Sequence, residues 1–115
     1  IVDDMADTCG TLIKASQNLL EKGAKSVKSI VTHGVLSGPA LDRLYDAIAD
    51  PRSPNTLNEF ICSDTLPLPK REVFVEQGAY AKADSFITVI STAGQIVKAM
   101  RAINEHISIE DLKKN

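Results

Sequence analysis

Ile1-Val2-Asp3-Asp4-Met5-Ala6-Asp7-Thr8-Cys9-Gly10-Thr11 opens the chain and decides how the rest is read. Ile1 and Val2 are β-branched and apolar, as at the end of a buried parallel strand, and the amphipathic pattern from Leu12 onward marks a helix. Between them lie adjacent carboxylates and a hydroxyl-rich glycine turn. A strand end, such a turn and a helix start form the layout of a sugar-phosphate site.

The turn carries no lysine or arginine. A phosphate held there depends on backbone N–H groups at the helix start, on the Thr8 and Thr11 hydroxyls and on the helix dipole. The dipole supplies only about 0.3–1 kcal/mol, or about 2 kcal/mol when partly buried. Several charge-assisted hydrogen bonds of roughly 1.5–3 kcal/mol each must therefore provide most of the binding. Gly10 suits that task, because a missing Cβ lets backbone approach an anion closely.

Asp3, Asp4 and Asp7 would repel a phosphate if they faced it, so a binding role turns them toward sugar hydroxyls or a cation. Neighbouring strand residues point to opposite faces, so Asp3 and Asp4 serve one ligand only if the strand has already ended. The alternative is that Asp7 or Thr8 caps the helix while the remaining acids line a solvated loop.

Strand and helix patterns alternate along the chain, predicting an α/β fold with a mainly parallel sheet flanked by helices, Rossmann-like in layout. Leu12, Ile13, Ala15, Leu19 and Leu20 share one helical face, which Gly23 ends in a position suited to a left-handed cap. Residues 27–32 read as a buried strand. Ser37-Gly38-Pro39 then opens a helix with a capping residue and a proline near the first turn, and Leu41, Leu44, Tyr45 and Ile48 form its inner face. Asp50-Pro51 stops it.

Residues 52–56 are turn-rich, 59–63 resume as a short strand, and Leu66-Pro67-Leu68-Pro69 enforces an extended connection. Val73-Phe74-Val75 reads either as a short edge strand or as an apolar anchor under a loop. Residues 86–90 read as a strand. Ser91 or Thr92 caps a last helix with Ile96, Val97, Met100, Ile103 and Ile107 on one side, and this stripe and both methionines are expected in the core.

The 115 residues are 43% hydrophobic and 24% charged, enough for one globular domain but not for a large two-domain enzyme. The net charge of −2 argues against a nucleic-acid footprint, which needs a clustered basic face. No apolar run is long enough to span a membrane, and cytoplasmic residence is expected. Cys9 and Cys62 show neither metal spacing nor a disulfide framework and read as reduced thiols. Beside a helix start Cys9 could gain reactivity, or simply lend its backbone N–H to the turn. His33 ends a strand and reads as an imidazole bonded to a neighbouring loop, while His106 suits the negative end of the last helix. Lys70-Arg71 reads as a solvated loop.

Two blocks together bring a family into view. Val2-Asp3-Asp4-Met5-Ala6-Asp7-Thr8-Cys9-Gly10-Thr11 closely resembles the phosphoribosyl-binding loop of the ribose-phosphate pyrophosphokinases, or phosphoribosyl pyrophosphate synthetases. Ile30-Val31-Thr32-His33-Gly34-Val35-Leu36-Ser37-Gly38-Pro39-Ala40 resembles the strand and helix start that follow in that family, at matching spacing. The acidic pair alone is shared with type I phosphoribosyltransferases; the Thr-His-Gly and Ser-Gly-Pro-Ala strings are more specific. Phe60-Ile61-Cys62-Ser63-Asp64-Thr65-Leu66-Pro67 and the segment from Ile87 are weaker matches. Residues 50–58 and 68–84 are longer than the family's usual connections, and the tail after His106 matches poorly.

The resemblance implies a type I phosphoribosyltransferase-like fold and transfer of pyrophosphate from ATP to the C1 hydroxyl of ribose 5-phosphate, with Mg²⁺ as cofactor. By the same resemblance Asp7, Thr8, Cys9, Gly10 and Thr11 hold the 5-phosphate, and Asp3 and Asp4 hold ribose hydroxyls directly or through a cation. The family's ATP site, metal-binding histidine and flexible catalytic loop lie upstream of this loop. Residues 1–115 are therefore expected to be a C-terminal portion of a longer synthetase, an incomplete domain that binds ribose 5-phosphate and is inactive alone. The alternative is a non-catalytic, synthetase-associated regulatory subunit that uses the lengthened connections as partner surfaces. Homo- or hetero-oligomers of synthetase subunits are implied in either case.

Overall fold

The computed structural model describes residues 1–51, 56–76, 78–106, 108 and 110. In chain order the elements are strand β1 (Val2–Ala6), helix α1 (Gly10–Glu21), β2 (Lys28–Gly34), α2 (Ala40–Ile48), β3 (Glu59–Ser63), β4 (Val73–Glu76), β5 (Ala79–Ala81), β6 (Thr88–Ile90) and α3 (Ala93–Asn104). A single 3-10 turn at Ala83–Ser85 precedes β6. The main sheet has the order β1-β2-β3-β6 and every pairing in it is parallel. This is the α/β architecture with a parallel sheet that the alternating pattern predicts.

Each crossover in this order steps the same way across the sheet. Right-handed crossovers stepping in one direction place their connecting segments on one face. Burial agrees: Ser29, Val31, Phe60 and Cys62 alternate along β2 and β3 and are buried, with Val31, Phe60 and Cys62 in one core with Leu41, Leu44 and Tyr45 of α2. On the opposite face Val2 is 84% exposed and Ile30 46%.

Several boundaries and faces differ from the sequence reading for identifiable reasons. β1 does not end at Val2 but continues through Ala6, because Asp3, Met5 and Ala6 keep pairing with Val31, His33 and Gly34. Helix α1 ends as predicted: Gly23 has φ 104, and the amides of Gly23 and Ala24 return to the Leu20 and Leu19 carbonyls in a Schellman arrangement. Its fully buried residue, however, is Ser16, whose hydroxyl donates to the Leu12 carbonyl at 3.0 Å, whereas Leu19 is exposed. The i−4 bond satisfies that hydroxyl inside the helix, so a polar residue takes a core position.

Beyond β3, Val73 is the buried anchor of a β4–β5 antiparallel hairpin, so both features foreseen for that segment are present. Phe86 and Ile87 do not join β6. They are buried instead, Phe86 packing edge-on to Tyr45 with ring centroids 5.6 Å apart. The apolar stripe of α3 is the clearest correction: Ile96, Val97, Met100 and Ile103 are exposed, as is Met5, and the helix's buried residue is Ala102. Periodicity reports that a stripe exists, not that an element of the chain covers it. Ile107 and most of the turn-rich segment, 52–55, lie outside the described residues. Among the described residues no helix is long and apolar enough to cross a membrane.

Candidate functional site

The C-terminal ends of parallel strands gather their loops at one edge of the sheet. The loop of residues 7–9 leaves β1 there and enters α1 through Cys9, which has left-handed backbone at φ 65. The first helical bond runs from the Ile13 amide to the Cys9 carbonyl at 3.0 Å. The amides of Gly10, Thr11 and Leu12 therefore precede the helix's own hydrogen bonding and face the start of the helix dipole. No side chain caps this end, so neither Asp7 nor Thr8 acts as the N-cap foreseen in the alternative reading.

Asp7 is engaged elsewhere. The Ser37 hydroxyl donates to Asp7 Oδ1, which also explains why Ser37 does not cap α2: the N-cap position is held by Pro39 without a side-chain cap. Thr8 is engaged through its carbonyl, which accepts from the Arg43 guanidinium of α2 at 3.0 Å. The turn carries no basic residue of its own, yet the fold brings one to it. Arg43 is the residue that sequence reasoning missed. No local pattern signals it, because its partner lies 35 residues away in sequence.

Asp3, Met5, Asp7, Thr8, Cys9 and Thr11 line one depression of about 350 Å³ between β1 and α1. Gly10 and Arg43 line a neighbouring one of about 520 Å³ with Lys14, Gln17 and Asp46. Asp4 lines neither. Because β1 runs through both acids, alternation puts Asp3 toward α1 and Asp4 on the other face, with the Asp4 amide donating to Asp3 Oδ1 at 2.8 Å. The candidate residues are thus brought together at one loop, Asp4 excepted.

The neighbouring strand ends carry hydroxyls. His33 Nδ1 lies 2.8 Å from Thr65 Oγ1, the loop bond foreseen for this imidazole, and the Ser63 hydroxyl donates to the Thr32 carbonyl at 2.5 Å. Asp64 accepts from the Thr92 amide at 2.8 Å and its hydroxyl at 2.6 Å, holding the start of α3 against the end of β3. These two bonds keep the Asp64 carboxyl below the usual carboxylate range. Arg71, read as solvated, donates to the Gly38 carbonyl at 3.1 Å and lies 3.4 Å from Asp42.

A sequence model described as the phosphoribosyl synthetase-associated domain matches residues 1–112. The chain belongs to that family. Ribose-phosphate pyrophosphokinase 3 of Saccharomyces cerevisiae is 38% identical over 115 residues, covering 100% of this chain and 31% of the yeast protein. The ribose-phosphate pyrophosphokinase of Caldanaerobacter subterraneus is 38% identical over 112 residues, 97% of this chain and 30% of its own. The crystal structure of phosphoribosylpyrophosphate synthetase from Mycobacterium smegmatis superposes with a TM-score of 0.65 at 35% identity, over 91% of this chain and 29% of that one. The chain thus spans about a third of the length of the curated relatives it matches.

Within this phosphoribosyl synthetase-associated domain Cys9 is not an activated thiol. Burial pushes it up to about 11 against the opposing pull of Arg43, with Asp7 adding to the rise. Burial likewise raises Cys62. Among the described residues no three His, Cys, Asp or Glu side chains converge to hold a metal ion. Asp3 and Asp4 lie on opposite faces of β1, so the two carboxylates do not converge on one cation.

Proposed function

We propose that this chain is the ribose 5-phosphate-binding, C-terminal portion of a ribose-phosphate pyrophosphokinase, which transfers pyrophosphate from ATP to the sugar's C1 hydroxyl. One observation carries the reading: the 7–11 loop presents the start of α1 at the carboxyl edge of a parallel sheet, with Asp7 fixed by Ser37 ahead of α2 and Thr8 by Arg43 of α2. Amides of residues 9–11 and the Thr8 and Thr11 hydroxyls hold the 5-phosphate. Asp3, in the same depression, accepts from ribose hydroxyls, whereas Asp4, on the opposite face of β1, takes no part in holding the sugar. The chain's residues bind and orient; none stands as a general base for the C1 hydroxyl, so their contribution is positioning. ATP and Mg²⁺ are engaged mainly by parts of the enzyme outside residues 1–115. Cytoplasmic residence and assembly with further synthetase subunits belong to the same proposal.

Titration of the ¹⁵N-labelled chain with ribose 5-phosphate tests this reading. The Thr8 and Thr11 amides are expected to shift at millimolar ligand, and to shift less with ribose; unmoved amides overturn the proposal. The purified 115-residue chain with ATP, ribose 5-phosphate and Mg²⁺ is expected to form no phosphoribosyl pyrophosphate, and robust turnover would refute its being an inactive portion.

A regulatory, synthetase-associated subunit is the second reading. It is favoured by the β4–β5 hairpin, which turns the exposed Phe74 and Tyr80 outward as an edge-to-face pair with centroids 5.7 Å apart. A change in an active synthetase's turnover on adding this chain would select it.

A further inference from the structure

We propose that Arg43 is a positioning residue for the sugar-phosphate loop, acting from α2 through the Thr8–Cys9 peptide rather than on the ligand. The proposal rests on the ribose 5-phosphate reading for the identity of the anion. Its own basis is geometric. The Arg43 guanidinium donates to the Thr8 carbonyl at 3.0 Å. In a trans peptide the C=O and the following N–H point in opposite directions, and the described backbone has no cis bonds. Fixing the Thr8 carbonyl toward α2 therefore aims the Cys9 amide away from α2. That is the side of the depression lined by Asp3, Thr8, Cys9 and Thr11. A charged donor on the carbonyl also polarises the peptide, leaving the Cys9 N–H a stronger donor to an anion.

Two further observations fit. Cys9 holds φ 65, a conformation that a residue with a side chain keeps only when its surroundings impose it. Gly10 supplies the room: a Cβ there would stand 2.9 Å from the Arg43 Nη1 and 3.4 Å from its Cζ, so any side chain displaces the guanidinium. The Ser37–Asp7 bond secures the preceding residue from the segment that leads into α2. Successive loop residues are thus tied to the segment 37–43, one through a carboxylate and one through a carbonyl.

The test compares Arg43→Met, Arg43→Lys and Gly10→Ala with the parent chain, reading ribose 5-phosphate affinity, the Cys9 amide shift and the thermal midpoint. Arg43→Met is expected to weaken binding about tenfold and to move the Cys9 amide upfield in the absence of ligand, as loss of one charge-assisted hydrogen bond requires. Arg43→Lys keeps the charge and the stem but not the planar fork, and is expected to weaken binding nearly as much. Gly10→Ala should lower affinity with an unchanged or raised midpoint, and its effect should not add to that of Arg43→Met. Full affinity in Arg43→Lys would show that charge alone matters and overturn the positioning role. So would an unmoved Cys9 amide in folded Arg43→Met. If Arg43→Met does not fold, the Lys and Gly10→Ala arms decide. A parent chain that binds inorganic phosphate but not ribose 5-phosphate would sink the substrate reading alone, with phosphate then reading the same variants. Binding of neither by the parent would overturn both.

Discussion

A methyl group on Gly34 would stand 3.1 Å from the Sγ of Cys62 and 3.3 Å from its Cβ. The last residue of β2 is thus fitted against a buried thiol of β3 with no space to spare. Gly34→Ala is expected to cost roughly 1–3 kcal/mol, the usual range for overpacking a filled core. Cys62→Ala should recover much of it, and urea unfolding of the two single variants and the double would show the coupling. Equal and additive losses would mean that the neighbours relax independently.

Ser29 supplies the opposite case. Its hydroxyl is buried in β2 and finds no hydrogen-bond partner among the described residues. An unsatisfied buried hydroxyl costs about 1–3 kcal/mol, so Ser29→Ala is expected to stabilise the chain by about 1 kcal/mol. A lower denaturation midpoint in that variant would reveal a partner for the hydroxyl.

Cys9 makes stability depend on alkaline pH. Its thiol is raised in the fold to about 11 from an ordinary value near 9.0, so its contribution is fully present below pH 9. It is lost as pH rises from 9 to 11, where the unfolded chain ionises first. The loss is of order 1–2 kcal/mol once solvent screening is allowed for. Cys9→Ala should flatten the stability profile over that window. Rapid alkylation of native Cys9 at pH 7.5 would contradict the buried, neutral thiol.

Asp64 acts at the acidic end. Its carboxyl is lowered by the two bonds from Thr92, so the stabilisation is present above the ordinary carboxylate range and disappears as pH falls through the lowered value. Asp64→Ala should release the start of α3, speeding hydrogen exchange at Thr92 and along the first turn while β2 and β3 stay protected. Uniform exchange changes across the sheet would argue against a local anchor.

The alternation of strands and helices, the Gly23 cap and the inner face of α2 were legible because each is written in local periodicity or backbone freedom. β3 was read to the residue, since its alternation is bounded by turn chemistry on both sides. The site was only half legible. The loop announces itself by composition, but Arg43 reaches Thr8 across 35 residues and Ser37 reaches Asp7 across 30, and no local pattern records such pairings. β1 was read too short because carboxylates look like loop residues, although a parallel ladder constrains backbone and lets an exposed strand carry them. The α3 stripe failed differently: its period was correct, and what it faces was not contained in the period.

Those two long-range ties have a consequence for anyone who would move this loop. Residues 2–14 as a free peptide carry every group named for the sugar phosphate, yet lack what holds Thr8 and Asp7 in place. Transplanting the motif to another scaffold requires residues 37–43 to travel with it, at the same distance and slant. The transferable unit is a loop together with the helix that grips it.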